Sequence, residues 1–240
     1  MFRLATCDDL IKLKIKYKDL GFTGIHGWGL KQLGNLFCVD SIRQLNASKV
    51  LEVGGGLNLF FDKDSHRNNY EYWMIDQIGF YDKQKFEESL NKRKNTKFVN
   101  DLIGDFSTDL PSNYFDLCFS ISVLEHSPTE KVKEIVEDMY RVVKPGGYIV
   151  HTIDVSYQQK NMLGKLYEQY IKDVGFIFKE PPELDFKHDL SDADIFHPTL
   201  FEPLQIVYEY YFTAKSKWHE PVPITSHFSS ILVLAKKTDN

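Results

Sequence analysis

The segment "KVLEVGGGLNLFFDK", residues 49–63, decides how this chain can fold. A short apolar run ends at Val53 and is followed at once by three glycines. An apolar run that stops at glycine is typical of a buried strand. Because glycine has no Cβ, the backbone at residues 54–56 can turn sharply and approach a ligand closely. An ordinary strand-to-helix turn would also explain a glycine cluster, so the flanking segments must decide between the two interpretations.

The strand pattern recurs downstream of the glycines. Residues 70–76, 97–101, 114–122 and 146–154 are further strand candidates, separated by helix-like segments at residues 82–93 and 128–142. Apolar strands that alternate with helices indicate a parallel sheet covered on both faces. Residues 204–212 and 227–237 predict two more strands. The sequence therefore predicts an α/β fold, a Rossmann-like seven-stranded, mostly parallel sheet with helices on both faces.

The same alternation divides the chain into four parts. Residues 1–47 precede the first strand and carry apolar residues at helical spacing over 29–46, which predicts an N-terminal helical cap. Residues 48–154 form the predicted ligand-binding core. Residues 155–200 are rich in Pro and Asp and predict an insertion that forms a lid or lobe over the binding site. Residues 201–240 supply the final strands.

Composition and charge exclude several classes of function. The chain has 240 residues, of which 42% are hydrophobic, and a formal net charge of −5. No overall positive charge favours nucleic acid or an anionic membrane. Lys12, Lys14, Lys16 and Lys18 alternate with apolar residues, which indicates a solvent-exposed edge. We therefore expect neither a nucleic-acid partner nor membrane insertion.

Cysteine usage and the N-terminal residues predict a cytoplasmic protein. The three cysteines, Cys7, Cys38 and Cys118, are far apart and odd in number, which argues against a disulfide framework or a zinc cluster. The first ten residues lack the apolar run of a signal peptide. No window approaches 18 apolar residues, so no transmembrane helix is expected.

Polar groups follow three neighbouring strands. Asp76 ends the second strand, where an acid can accept hydrogen bonds from both hydroxyls of a ribose. Asp101 ends the third strand, where a carboxylate could accept from an exocyclic amine. Ser120, Ile121 and Ser122 end the fourth. Since ligands of open parallel sheets bind beyond the carboxyl ends of the strands, these residues predict one site of adenosine size.

These motifs resemble those of class I S-adenosylmethionine-dependent methyltransferases. The similarity lies in "VLEVGGG", "YWMID", "FVNDL", "YFDLCFSISVLEHS" and "MYRVVKPGGYIVHTID", and it is closest to the small-molecule branch with an L-E-H loop, the type 11-like members. It covers about residues 48–154 and the final strands. The resemblance implies a seven-stranded sheet whose last strand, here "FSSILVLAKK", is antiparallel. It also implies S-adenosylmethionine (SAM) as cofactor.

The resemblance assigns a role to each matching residue. Glu52 is similar to the acid that orders the glycine loop near the methionine amino group. Ser120 and Ile121 match the positions that contact the methionine end through backbone carbonyls. Asp76, with Gln77 beside it, matches the residue that binds the ribose, and Asp101 and Leu102 match those that bind the adenine. The full set of cofactor-binding residues implied is Glu52, Gly54, Gly55, Gly56, Asn58, Asp76, Gln77, Asp101, Leu102, Ser120 and Ile121.

The glycine loop departs from two known patterns. Asn58 stands where the methyltransferase family has its third glycine, so the segment after the loop is expected to be short and polar. A nicotinamide-dependent enzyme would need G-x-G-x-x-G at the start of a long helix that faces a pyrophosphate. Methionine carries no phosphate, so this loop fits SAM better than a dinucleotide.

Glu125 and His126 are the candidate catalytic residues. They follow the fourth strand, where the resemblance places the reactive methyl group. His126 could take a proton from an oxygen or nitrogen nucleophile, or could instead cap the next helix. His151 and Asp154 end the fifth strand and are further candidates. In related enzymes an acid three residues before the Glu-His pair helps to bind a metal; here that residue is Ser122, so no metal is expected.

The sequence thus favours a SAM-dependent methyltransferase that acts on a small-molecule acceptor, such as a metabolite, a sugar or a lipid-like compound. Two alternatives stay open. One is a non-catalytic SAM-binding or scaffold protein with the same fold. The other is a protein methyltransferase, since an acidic groove would suit a basic peptide.

Overall fold

The structure, a computed structural model, describes residues 1–5, 7–20, 29–93, 95–156 and 228–238. Strands and helices alternate along most of these residues. The strands are β1 (Phe2–Leu4), β2 (Lys49–Val53), β3 (Glu71–Asp76), β4 (Thr96–Asn100), β5 (Phe115–Ile121), β6 (Val143–Ser156) and β7 (Phe228–Lys236). The helices are α1 (Cys7–Lys16), α2 (Gly29–Gln44), α3 (Lys83–Lys92) and α4 (Val132–Val142).

All the described strands belong to one sheet in the order β1-β7-β6-β5-β2-β3-β4. Strands β2 to β6 are parallel, whereas β7 runs antiparallel to both of its neighbours. The predicted α/β, Rossmann-like sheet with a reversed final strand is confirmed. The individual strands that were predicted are not all confirmed. Strand β1 was not anticipated, and the predicted strand over 204–212 lies outside the described residues.

Helices cover both faces of the sheet. On one face α1 and α2 enclose a core that includes Val50, Tyr72 and Phe119. On the other face α4 packs against Leu51, Ile75 and Cys118, presenting the buried residues Val132, Ile135, Val136 and Met139. Neighbouring residues of β2 thus enter opposite cores, as the period of two in a strand requires. This explains why the strands read as continuous apolar runs.

Predicted and observed elements differ mainly at their ends, and the lysine-rich N-terminal segment is a helix. Helix α2 ends at Gln44 instead of residue 46, and β6 extends from Val143 to Ser156 instead of 146–154. The alternating lysines predict a solvent-exposed edge. Lys12, Lys16 and Lys18 are exposed, as predicted, but Lys12, Lys14 and Lys16 lie in helix α1 and not at an edge. The segment is helical because buried Leu10, buried Tyr17 and partly buried Leu13 share one face at helical spacing.

The predicted division into four parts stays a prediction. Residues 1–47 contain both helices α1 and α2 together with strand β1. Most of the predicted insertion, and the strand region from residue 201 to 227, lie outside the described residues. Within the described ranges, no helix combines the length and the apolar character needed to cross a membrane.

The aromatic core beneath α2 is expected to dominate stability. Phe119 is fully buried, and its ring centroid lies 4.8 Å from that of Phe61 and 6.3 Å from that of Tyr72. Phe119→Ala should lower the free energy of unfolding by about 3–5 kcal/mol, since it removes apolar contacts and leaves a cavity. Denaturant titration measures this loss. Phe80→Ala, at a side chain that is 66% exposed, is the control; equal losses in both variants would contradict the packing described.

Candidate active site

The glycine loop lies very close to the ends of the strands beneath it. Gly54 and Gly56 have φ angles of +67° and +51°, a region that residues with side chains rarely adopt. The amide of Gly54 donates to the carbonyl of Ile75 at 2.9 Å. A Cβ on Gly55 would lie 2.4 Å from Glu52 Oε2 and 2.6 Å from Met74 Sδ. The three glycines are therefore needed because the backbone fills the space that side chains would occupy.

Glu52 supports this loop from below. Its carboxylate is buried and accepts hydrogen bonds from the Tyr72 hydroxyl at 2.5 Å and from Arg93 Nη1 at 3.4 Å. Burial raises the pKa of Glu52, while the positive charge of Arg93 acts in the opposite direction. Oε2 of this acid is thus engaged inside the protein, directly below the glycine loop.

Arg93 is a loop-binding residue that the sequence analysis missed. It follows α3, and its side chain is 1% exposed. Its Nη2 donates to the carbonyl of Gly56 at 2.8 Å and to that of Gly55 at 3.3 Å. These contacts join residues 37 and 38 positions apart in the chain. An arginine at the end of a charged helical segment gives no local signal of such a role.

Asp76 faces the glycine loop at the end of β3. Its Oδ2 accepts from the amide of Gly56 at 2.8 Å and from the Tyr81 hydroxyl at 3.0 Å, and its Oδ1 accepts from the amide of Gln77 at 2.8 Å. A carboxylate can accept about four hydrogen bonds. One further acceptor position is therefore left on Oδ1, and a second one would become available if the Tyr81 hydroxyl moved away. Tyr81 is the second residue that the sequence analysis missed.

The residues predicted to contact adenine lie in a loop held by α4. Asp101 and Leu102 follow β4, are partly exposed, and are linked by a hydrogen bond from the Leu102 amide to Asp101 Oδ1 at 2.9 Å. The fully buried Asp138 of α4 accepts from the amides of Gly104 at 2.8 Å and Phe106 at 3.2 Å. This carboxylate fixes the course of the loop that follows Asp101.

Asn58, at the family's third glycine position, connects the glycine loop to α2. Its Nδ2 donates to Asn35 Oδ1 at 3.0 Å, and its Oδ1 accepts from the amide of Phe60 at 3.0 Å. The expected short, polar segment after the loop consists of two single-turn 3₁₀ helices, Phe61–Lys63 and Arg67–Asn69, although the side chain of Phe61 is buried. Asn58 therefore links the glycine loop to helix α2.

Ser120 and Ile121 occupy the end of β5 next to the glycine loop. The Ile121 carbonyl accepts from Lys31 Nζ at 2.8 Å. The Ser120 hydroxyl is buried and lies 2.8 Å from Nδ1 of His151, whose ring is fully buried and whose pKa burial lowers to about 3. His151 is therefore neutral and lies in the interior of the protein rather than at the edge of the site.

Glu125 and Asp154 form a pair of carboxyl groups above β5 and β6. Ser122, with a φ angle of +50°, turns the chain after β5, and Glu125 Oε1 accepts from the amide of Asp154 at 3.3 Å. Burial, and then the charge of Asp154, raise the pKa of Glu125. Burial also raises the pKa of Asp154, and the positive charge of the nearby His126 acts against this rise. The His126 side chain itself is exposed.

The predicted residues thus line neighbouring strand ends, and their chemistry fits a nucleoside joined to an amino acid. Asp76 offers an acceptor for hydroxyl groups, and Gly54–Gly56 offer bare backbone beside it. Ile121 offers a carbonyl that already binds an ammonium group. Among the described residues, no group of His, Cys, Asp and Glu side chains could hold a metal ion.

Comparison with known proteins identifies the fold and the domain. A family model described as "Methyltransferase domain" matches residues 51–151. The structure resembles a protein from Galdieria sulphuraria assigned as a sarcosine dimethylglycine methyltransferase, with 13% identity, a TM-score of 0.54 and coverage of 85% of each chain. It also resembles phospholethanolamine N-methyltransferase 2 of Haemonchus contortus, with 16% identity and a TM-score of 0.52, over 96% of this chain and 59% of that one.

No curated protein matches the chain in sequence. The two structural likenesses show the fold, and the family match gives residues 51–151 as a methyltransferase domain. The predicted resemblance to class I SAM-dependent methyltransferases is thereby confirmed, and so is the predicted enzyme class. SAM is the cofactor that this family uses, as predicted.

The carboxyl pair should make stability depend on pH. Because the folded state raises the pKa of Glu125, it binds that proton more tightly than the unfolded chain does, and stability must fall as pH rises above the ordinary carboxyl value. Glu125→Gln cannot ionise. Between roughly pH 5 and pH 9 the Tm of the wild type should therefore fall further than the Tm of Glu125→Gln. The difference between the two decreases should be about 3 °C or more.

Thermal unfolding at a series of pH values measures this difference. Glu87→Gln is the control, since Glu87 is an exposed glutamate on α3; its curve should be parallel to that of the wild type. A Glu125→Gln curve that is also parallel would show that Glu125 has an ordinary pKa.

Proposed function

We propose that this chain transfers the methyl group of SAM to a small-molecule acceptor. The observation that carries the proposal is the meeting of Asp76, the Gly54–Gly56 backbone and the Ile121 carbonyl at adjacent strand ends. These are the acceptors and the close backbone approach that ribose and methionine need. The net charge of −5 favours a small acceptor over RNA.

Each binding residue has a distinct task in this proposal. Asp76 binds the ribose hydroxyls, with the amide of Gln77 fixing Oδ1 beside it. Asp101 and Leu102 bind the adenine, and the backbone carbonyls of Ser120 and Ile121 bind the methionine end. Glu52, Gly54, Gly55, Gly56 and Asn58 give the loop its shape through the contacts described above.

Methyl transfer requires alignment and the removal of a proton. When bound, SAM supplies a methyl group on a positively charged sulfur, which is an activated leaving group. The protein has to hold the nucleophile in line and accept its proton if the acceptor is a hydroxyl or an ammonium group. No residue type is obligatory for the displacement itself.

We assign the proton transfer to Glu125 and His126. Oε2 of Glu125 is buried and has no hydrogen-bond partner within the described part of the chain. A carboxyl group with a raised pKa is a stronger base near neutral pH than an ordinary one. The exposed His126, whose charge acts on Asp154, would pass the proton on towards solvent.

We also propose a cytoplasmic location. Cys38 and Cys118 are buried free thiols in the described part of the chain. Burial raises the pKa of both thiols, so they are protonated and unreactive. Cysteines that form no disulfide are typical of a reducing compartment.

Calorimetry with SAM and with S-adenosylhomocysteine tests the binding half of the proposal. The wild type should bind both ligands with one site per chain. Asp76→Ala should weaken binding by about tenfold or more, since it removes charge-assisted hydrogen bonds to the ribose. Asp109→Ala, at an exposed aspartate, should bind like the wild type. The absence of heat with wild-type protein at millimolar ligand would reject the proposal.

Release of S-adenosylhomocysteine in the presence of amine, hydroxyl and carboxylate acceptors tests the catalytic half. Turnover with at least one small acceptor, reduced in Glu125→Gln, is expected. Binding of SAM without turnover on any small molecule or basic peptide would favour the non-catalytic alternative. Turnover with a basic peptide alone would favour a protein methyltransferase.

A further inference from the structure

Helix α2 lies very close to the end of β5 and to the adjacent residue Thr152 of β6. A Cβ on Gly34 would lie 2.6 Å from Ile121 Cγ2 and 2.6 Å from Thr152 Oγ1, which is closer than side-chain atoms tolerate. The backbone of the helix therefore packs directly against the side chains of these two strands. This approach is possible only because residue 34 has no side chain.

Lys31 precedes Gly34 by three residues, so both lie on the same face of α2. The short distance between helix and sheet brings the Lys31 ammonium to the end of β5, where Nζ donates to the Ile121 carbonyl at 2.8 Å. The side chain is partly buried. Helix packing thus delivers a positive charge to the strand end proposed to hold the methionine portion of SAM.

Carboxyl groups surround this charge. The positive charge of Lys31 opposes the rise that burial causes in the pKa of Glu52, Glu125 and Asp154. A carboxylate bound directly at this ammonium group would gain charge-assisted hydrogen bonds, because Nζ is already held at the end of β5.

The methionine portion of SAM carries an ammonium group and a carboxylate. The ammonium group has acceptors at this edge, including the Ile121 carbonyl, whereas the carboxylate needs donors. The guanidinium of Arg93 lies below the loop and is bonded to Gly55, Gly56 and Glu52. Lys31 has three N–H donors, of which one is bonded to Ile121.

We propose that Lys31 binds the carboxylate of the methionine portion of SAM and is held in position by the contact of Gly34 with Ile121 of β5 and Thr152 of β6. This inference rests on the proposed function and adds a residue to its site. Lys31 is then a ligand-contacting residue, with two N–H groups available for the carboxylate oxygens.

Two ligands that differ only at the amino-acid end test the proposal. S-Adenosylhomocysteine carries the carboxylate, whereas 5′-methylthioadenosine keeps the adenine, ribose and sulfur but lacks the amino-acid end. In calorimetry, Lys31→Met should weaken the binding of S-adenosylhomocysteine by about 10- to 100-fold, the loss of a charged hydrogen bond. Its affinity for 5′-methylthioadenosine should stay within about twofold of the wild type. Lys31→Arg should restore most of the lost affinity, and Lys133→Met, on the exposed face of α4, is the control.

The outcomes separate this inference from the proposed function. Equal weakening of both ligands would overturn it, because Lys31 would then act on the shape of the site as a whole. Tighter binding of the cationic SAM by Lys31→Met would also overturn it, since simple charge repulsion would be dominant. Failure of the wild type to bind either ligand would instead remove the proposed function, and this inference with it.

A measurement on wild-type protein alone keeps the test independent of how the variant folds. The carboxamide of S-adenosylhomocysteine has lost the negative charge but has nearly the same shape. The wild type should bind it about tenfold more weakly than the carboxylate, or weaker still. Equal affinities would overturn the inference.

Discussion

The structure of this site depends on how the backbone of Gly55 and Gly56 is held between two buried acids and one buried arginine. Glu52 lies directly below Gly55, Arg93 binds the carbonyls of both glycines, and Asp76 binds the amide of Gly56. Removing either Glu52 or Arg93 alone would leave the charge of the other buried and unpaired, which costs far more than the loss of a surface ion pair. The loop is therefore fixed by the protein before any ligand arrives.

The same principle of close approach operates on the other side of the site. Gly34 allows α2 to pack against Ile121 of β5 and Thr152 of β6, and Asn35 binds Asn58 at the far end of the glycine loop. One helix from the N-terminal region thus contacts three strand-end segments that are distant in sequence.

Much of the site could be predicted because it consists of residues at strand ends. An apolar run followed by glycine or an acid marks such an end, so Glu52, Gly54–Gly56, Asp76 and Asp101 could be located from local pattern alone. Arg93, Tyr81 and Lys31 could not, because each contacts the site from a helix or loop that only packing brings near. The helix in the lysine-rich segment was missed for a related reason: alternation and helical spacing coincide over a few residues, and the buried face decides between them.

By itself the sequence determined the alternation of strands and helices, the sheet that follows from it and the edge of the sheet at which polar groups collect, because these depend on the local periodicity of apolar residues. Only the tertiary structure decided how those groups are used. In the folded protein Glu52 binds Tyr72 and Arg93, and His151 is buried next to Ser120. Glu125 lies beside Asp154, and Lys31 binds the carbonyl of Ile121. The charge and the hydrogen bonds of a side chain depend on which distant residues surround it, and that arrangement exists only once the helices have packed onto the sheet.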